Sequence, residues 1–185
     1  MFILYAVAVG LAVGLMTGGS LERLSHVRLR WPGVAHAGLA VQLVLFSGPV
    51  TDAIGDAGPP IYVASTLAVL GFVMLNVHLP GLFVVAAGAL TNLVAIISNG
   101  GFMPAADAAL ALAGFAPTEG AYSNSRQFAQ PSFPALSDIF AIPEEVPFSN
   151  IYSIGDVLIG VGLAVILVWA MRGGEAPARV PAGAR

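Results

Sequence analysis

The sequence predicts an all-α membrane protein: a five-span transmembrane helical bundle with a long, partly helical extracytoplasmic loop between spans four and five. Three observations carry this expectation. Five apolar stretches, residues 2–17, 34–50, 61–77, 81–98 and 151–171, alternate with charged or Pro- and Gly-rich segments, and none contains Lys or Arg. At about 1.5 Å per helical residue, each reaches roughly 24–31 Å, close to the ~30 Å hydrocarbon core of a bilayer. Charged residues make up 9% of the chain, whereas a soluble domain with helices buried all round needs charged cover near a quarter of its residues.

The third observation is the placement of charge, which also orients the spans. Six of the seven Arg (Arg23, Arg28, Arg30, Arg172, Arg179, Arg185) follow either the first or the last span. Five alternating crossings put those segments on one side, cytoplasmic by the positive-inside rule. Eight of the ten acidic residues (Asp52, Asp56, Asp107, Glu119, Asp138, Glu144, Glu145, Asp156) then fall outside or at the outer membrane edge. The expected location is a bacterial cytoplasmic membrane, multi-pass, with the N-terminus outside and the C-terminus cytoplasmic. Arg126 lies too far from either neighbouring span to steer insertion. Absence of cysteine excludes disulfides and thiol chemistry.

The elements follow in order. The first span has no cation before it and three Arg after it, so it reads as an uncleaved anchor and not as a signal peptide. Gly10, Gly14 and Gly18 stripe one of its faces and suit close packing within the bundle. Segment 21–30 has the alternation of an amphipathic turn at the inner surface, closed by Trp31-Pro32-Gly33. The second span carries Gln42, whose amide needs an interhelical partner in hydrocarbon. Residues 51–60 read as a short acidic outer loop. Spans three and four, joined by His78-Leu79-Pro80, are antiparallel neighbours.

The long outer segment, 99–150, contains six Pro and six Phe, and those rings are expected to pack on the bilayer or the helix tops. A short helix is expected over 104–113, with Asp107 near its positive end and Gly114 as its stop, and a second around 134–142. Residues 120–130 have the polar composition of an exposed tip. Residues 1–171 form one integral-membrane domain, and 172–185 a disordered cytoplasmic tail.

Few residues suggest chemistry. Asp156 is the one carboxylate embedded in an apolar span, which marks it as a functional candidate. Its position near the start of the last helix equally suits an acid that binds free backbone N–H groups. Asn92 lies deep in the fourth span. After it, Asn99-Gly100-Gly101-Phe102-Met103-Pro104 ends the helix abruptly, because Asn and Gly tolerate left-handed backbone angles. His26, His36 and His78 do not cluster with carboxylates, so neither metal nor cofactor is expected.

These motifs resemble a known family. Asn99-Gly100-Gly101-Phe102-Met103-Pro104, Leu136-Ser137-Asp138-Ile139-Phe140-Ala141-Ile142-Pro143 and Tyr152-Ser153-Ile154-Gly155-Asp156-Val157-Leu158-Ile159 resemble the bacterial membrane proteins grouped as domain of unknown function 5317, which implies a membrane protein and no particular activity. A partial likeness reaches further. Gly88-Ala89-Leu90-Thr91-Asn92-Leu93 followed by Asn150-Ile151-Tyr152-Ser153-Ile154-Gly155-Asp156 is similar to the last two helices of lipoprotein signal peptidase, a membrane aspartyl protease. That resemblance implies that Asp156 matches one catalytic carboxylate. The position three residues after Asn92 is Ala95, so an aspartyl mechanism requires a substitute, and Asp138 is the available one.

The expectation for function is a non-enzymatic membrane scaffold or binding protein. Its partners are the lipid bilayer and a membrane or extracytoplasmic protein, with no nucleic acid. Asn92, Asn99, Gly100, Gly101, Met103, Pro104, Gly155 and Asp156 form its binding or structural motif, and Asp138 and Asp156 cap helix or loop ends too far apart to share a proton. The alternative is a divergent aspartyl hydrolase or lipid-modifying enzyme using Asp156 with Asp138.

Overall fold

The computed structural model of the chain describes residues 2–115 and 124–174. Expectations for residues 116–123 and 175–185, which include part of the polar tip and most of the tail, lie outside the described residues. The protein is mostly helical, with α1 (Phe2–Met16), α2 (Pro32–Leu45), α3 (Gly48–Ile54), α4 (Gly58–Leu75), α5 (Leu82–Ser98), α6 (Asp107–Leu112) and α7 (Ile154–Met171). Four short strands, β1 (Met103–Pro104), β2 (Ser125–Arg126), β3 (Phe140–Ile142) and β4 (Asn150–Tyr152), lie in the segment joining α5 to α7. Two helical stretches, Gly48–Leu75 and Ile154–Met171, are long and apolar enough to cross a membrane, while Phe2–Met16, Pro32–Leu45 and Leu82–Ser98 are apolar but shorter.

Three local expectations need correction. Residues 51–60 are not a loop: Asp52 lies in α3, and Pro59 and Pro60 sit in the first turn of α4, where a missing N–H forfeits no helical bond. Of the second short helix expected around 134–142, only a 3-10 turn at Pro134–Leu136 forms. Phe140–Ile142 instead pairs antiparallel with Asn150–Tyr152, because Pro143 drives the preceding residue to extended angles and the neighbouring strand takes up its backbone bonds. The first short helix, expected over 104–113, forms only over Asp107–Leu112, because Met103–Pro104 is taken up in β1; Gly114 (φ +71°) follows it in the turn, and Leu21–His26 is a 3-10 helix.

Helix order in the bundle is α1, α7, α5, α4, α2, each packed on the next. Small residues set the spacing. Gly10 of α1 faces Ala164 and Gly14 faces Met171, so α1 runs parallel to α7; Gly81 meets Gly162 and Gly88 meets Gly155, so α5 runs antiparallel to it. On the far side Gln42 donates to the hydroxyls of Ser65 and Thr66, both at 3.2 Å, the interhelical partners its amide requires. Ser20 N–H and the Arg23 guanidinium reach the Met171 carbonyl. The Arg-bearing segment 23–30 therefore sits at the end of the bundle where α7 finishes, opposite the segment that leads into α7.

One polar anchor at that end has no signal in the sequence. Asn76 is fully buried and brackets Arg30, accepting from its N–H at 2.7 Å and donating to its carbonyl at 3.0 Å and to Phe72 O at 2.8 Å. Asn76→Ala should cost about 1–3 kcal/mol, since it strands two backbone groups of Arg30. A thermal melt in detergent measures this, and an unchanged midpoint would refute it.

Among the described residues, the three non-glycine positions with positive φ are all exposed aromatics: Trp31 (54°), Phe133 (53°) and Phe148 (60°). Trp31 lies at the Arg end and the two Phe at the other. Phe115 and Phe140 are exposed as well, so the segment between α5 and α7 is folded without burying all its rings.

Candidate active site: two carboxylates facing one cavity

Asp156 occupies the third position of α7 and closes a capping box with Ser153: Ser153 N–H donates to Asp156 Oδ2 at 2.9 Å, and Asp156 N–H donates to Ser153 Oγ at 3.1 Å. The signal for this was legible as Ser-x-x-Asp ahead of an apolar run. What the sequence did not reveal is the third member. Asn92 Nδ2 donates to Asp156 Oδ1 at 2.9 Å, and Asn92 Oδ1 lies 2.8 Å from Ser153 Oγ as an acceptor for its proton. Both carboxylate oxygens are thus held between α5 and α7. The helices come this close because Gly88 and Gly155 face each other's backbones, and a Cβ on Gly155 would collide with the Asn92 amide.

Asp138 is positioned by backbone, not by a helix. Its N–H donates to Pro104 O at 2.8 Å and its carbonyl accepts from Ala106 N–H at 3.1 Å. On the other edge of the same stretch, Met103 and Pro104 pair with Ser125 and Arg126. Residues 103–105 are therefore a central rung that places Ser125 and Asp138 side by side, and Ser125 Oγ donates to Asp138 Oδ2 at 2.9 Å. The turn before this rung uses Gly100 and Gly101 at φ 71° and 90° and is tied down by Asn99. Asn99 donates to Ala95 O and Ser132 O and accepts from Ser132 N–H at 2.8 Å. The 99–104 motif is thus the mount for Asp138. Nothing local in sequence announces Ser125, thirteen residues from its partner.

Asp138 and Asp156 reach the same cavity, of about 650 Å³. Phe2, Ile3 and Leu4 of α1 line one side and Tyr62 of α4 another, with Asn92 and Ile96 of α5 behind and Asn150, Ile151 and Tyr152 of β4 toward α7. The α1 wall is braced by Phe2 stacked on Tyr152 at 4.3 Å and by the Tyr5 hydroxyl donating to Pro147 O. Among the described residues no hydrogen bond joins the two carboxyls. Asp138 is buried (5% exposed), and burial, reinforced by the negative charge of Asp156 and opposed by the Ser125 hydrogen bond, pushes its pKa up to about 7. The expectation that Asp138 binds backbone N–H groups is therefore replaced by a side-chain bond to Ser125. Ala95 is fully buried beside Ile96 and Met103, so no carboxylate fits at the position the peptidase likeness would fill.

The match of the chain to a family model covers residues 26–168. The protein belongs to DUF5317, a family of unknown function. The matched stretch contains Asn92, Asp138, Ser153 and Asp156, while the α1 wall of the cavity lies before it. No curated protein and no solved structure matches the chain.

Proposed function

We propose that this member of the family is a five-span protein of the bacterial cytoplasmic membrane that hydrolyses an amide or ester with Asp138 and Asp156 at its outer face. The observation that carries the proposal is the pair of carboxylates in one cavity, one of them protonated up to about pH 7. An acid held protonated by burial, set in one cavity with a second carboxyl, can divide acid and base work with it. Asp156 takes a proton from a water whose oxygen attacks the carbonyl carbon. Asp138 gives its proton to the carbonyl oxygen. The tetrahedral diol then collapses, Asp138 regains that proton, and Asp156 passes the water's proton to the leaving amine or alkoxide. Asn92, Ser153 and Ser125 hold the two acids in place. The partial likeness of 88–93 and 150–156 to lipoprotein signal peptidase bears only on Asp156, since Ala95 stands at the position of the second carboxylate there, and Asp138 takes that part in this proposal.

Membrane placement rests on physical grounds of its own. Large apolar side chains stay exposed on every long helix, among them Val9 and Leu15 of α1, Leu43 of α2, Leu67 of α4, Phe83 and Ile97 of α5 and Val161 of α7. In water such surfaces demand a partner; in lipid they need none. Trp31 at one end and Phe133 and Phe148 at the other suit the two headgroup layers. Helices of 14 to 17 residues span by local thinning of the bilayer and through the flanking turns. With the Arg segment inside, Ala129→Cys should react with an impermeant thiol reagent on intact spheroplasts and Ser25→Cys should not. The reverse pattern would overturn the orientation.

The hydrolytic reading is tested with a peptide bearing a secondary hydroxyl in place of a scissile carbonyl, a mimic of the tetrahedral state. The full-length protein in detergent should bind it at pH 6, and a library of quenched fluorescent peptides and esters should reveal cleavage. Asp156→Asn should lose both. Neither binding nor cleavage in the unaltered protein would return the function to a non-enzymatic scaffold whose outer loop binds a partner.

A further inference from the structure

We propose that the opposite end of the bundle carries a binding site for one anionic phospholipid, in a groove between α1 and α7. This rests on the membrane placement above and is independent of the carboxylate pair. Because α5 begins at Leu82, with Gly81 packed against Gly162 and Ile166, the end of α7 runs on past it without a helix on that flank. The result is a hollow of about 640 Å³. Gly10 and Ala164 are among its lining residues, with Val13 on the α1 side, Val168 on the α7 side and Pro80 at the hairpin end. Nothing in these lining groups hydrogen-bonds an occupant, so the body of the ligand is hydrocarbon.

The mouth has a different chemistry. Trp169 and Arg172 line it, whereas Arg23, at the same helix end, is not part of the lining and spends its guanidinium on the Met171 carbonyl. A guanidinium group and an indole at the end of an apolar groove, Arg172 and Trp169, match an acyl chain that terminates in a phosphate. Arg pairs with phosphate oxygens in two-pronged fashion, and Trp prefers the headgroup level. The charge selects an anionic lipid over a zwitterionic one, and the hydrocarbon lining selects a lipid over free phosphate.

The test uses the full-length protein in detergent, titrated with dioleoyl phosphatidylglycerol or dioleoyl phosphatidylcholine and read by native mass spectrometry. One phosphatidylglycerol should be retained per chain, roughly fivefold more tightly than phosphatidylcholine, given the ordinary worth of one basic residue near an anionic surface. Arg172→Gln should cut that preference roughly fivefold. Val13→Phe, on a side chain 41% exposed, should fill the groove and release both lipids while leaving peptide binding at the other end unchanged. Equal retention of the two lipids, a preference untouched in Arg172→Gln, or a second protein copy bound in place of lipid would each overturn the site. If cysteine labelling confirms the topology and the preference is absent, this inference alone fails; loss of hydrolysis in Asp156→Asn does not bear on it.

Discussion

Asp138→Asn should abolish hydrolysis and at the same time make the protein more resistant to heat at pH 8. Both effects follow from one displaced equilibrium. With its pKa near 7, Asp138 holds a proton below that pH and can donate it; above it the donor is lost, and kcat/KM should fall about tenfold per pH unit. Asparagine cannot replace a transferable proton, so turnover should drop by roughly 10²–10⁴-fold, the ordinary share of a general acid. Stability moves the other way. A carboxyl whose folded pKa is raised contributes its full stability below the unfolded value near 4, and that contribution is lost as pH rises through about 7. The asparagine variant escapes this loss and can still accept from Ser125. Its melting temperature should match the parent near pH 4 and exceed it at pH 8 by an amount corresponding to a few kcal/mol. A difference independent of pH would show that Asp138 is not held protonated by its surroundings.

Gly155→Ala should dismantle the site although it adds one methyl group. A Cβ there would overlap the Asn92 amide and press on the backbone of Gly88, so α5 and α7 must part or Asn92 must turn away from Asp156. Overpacking of this kind costs about 1–3 kcal/mol, and the broken hydrogen bond to a charged group adds about 1.5–3 kcal/mol. The control is Gly71→Ala in α4, where an added Cβ meets nothing within 4 Å and helix propensity favours alanine. Melting curves in detergent should show Gly155→Ala many degrees lower and Gly71→Ala unchanged or higher. Equal effects would mean that the α5–α7 contact does not depend on these glycines.

Some of this architecture is written locally and some is not. The apolar runs, the glycine spacing of α1, the stop at 99–101 and the acid in the first turn of α7 could each be read from neighbouring residues. Helix periodicity, left-handed turns and N-terminal capping depend on a few consecutive positions. Strand pairing at 140–142 could not, because its partner lies beyond Pro143 and only the fold brings it back. The clamps formed by Asn76 on Arg30 and Asn99 on Ser132 are equally silent: an asparagine at a helix end looks the same whether it faces solvent or a distant loop.

The sequence by itself therefore determined the apolar helical character of the protein, that the Arg-bearing segment 23–30 and Arg172 share one end of the bundle, and Asp156 as the carboxyl to watch. Only the tertiary structure decided that Asp138 faces the same cavity, that Ser125 holds it and that Asn92 joins Asp156 to Ser153. The physical reason is range. Hydrophobic patterning and capping are set by contacts within one or two helical turns, whereas the protonation of a carboxyl depends on burial and on charges brought close by chain segments far apart in sequence.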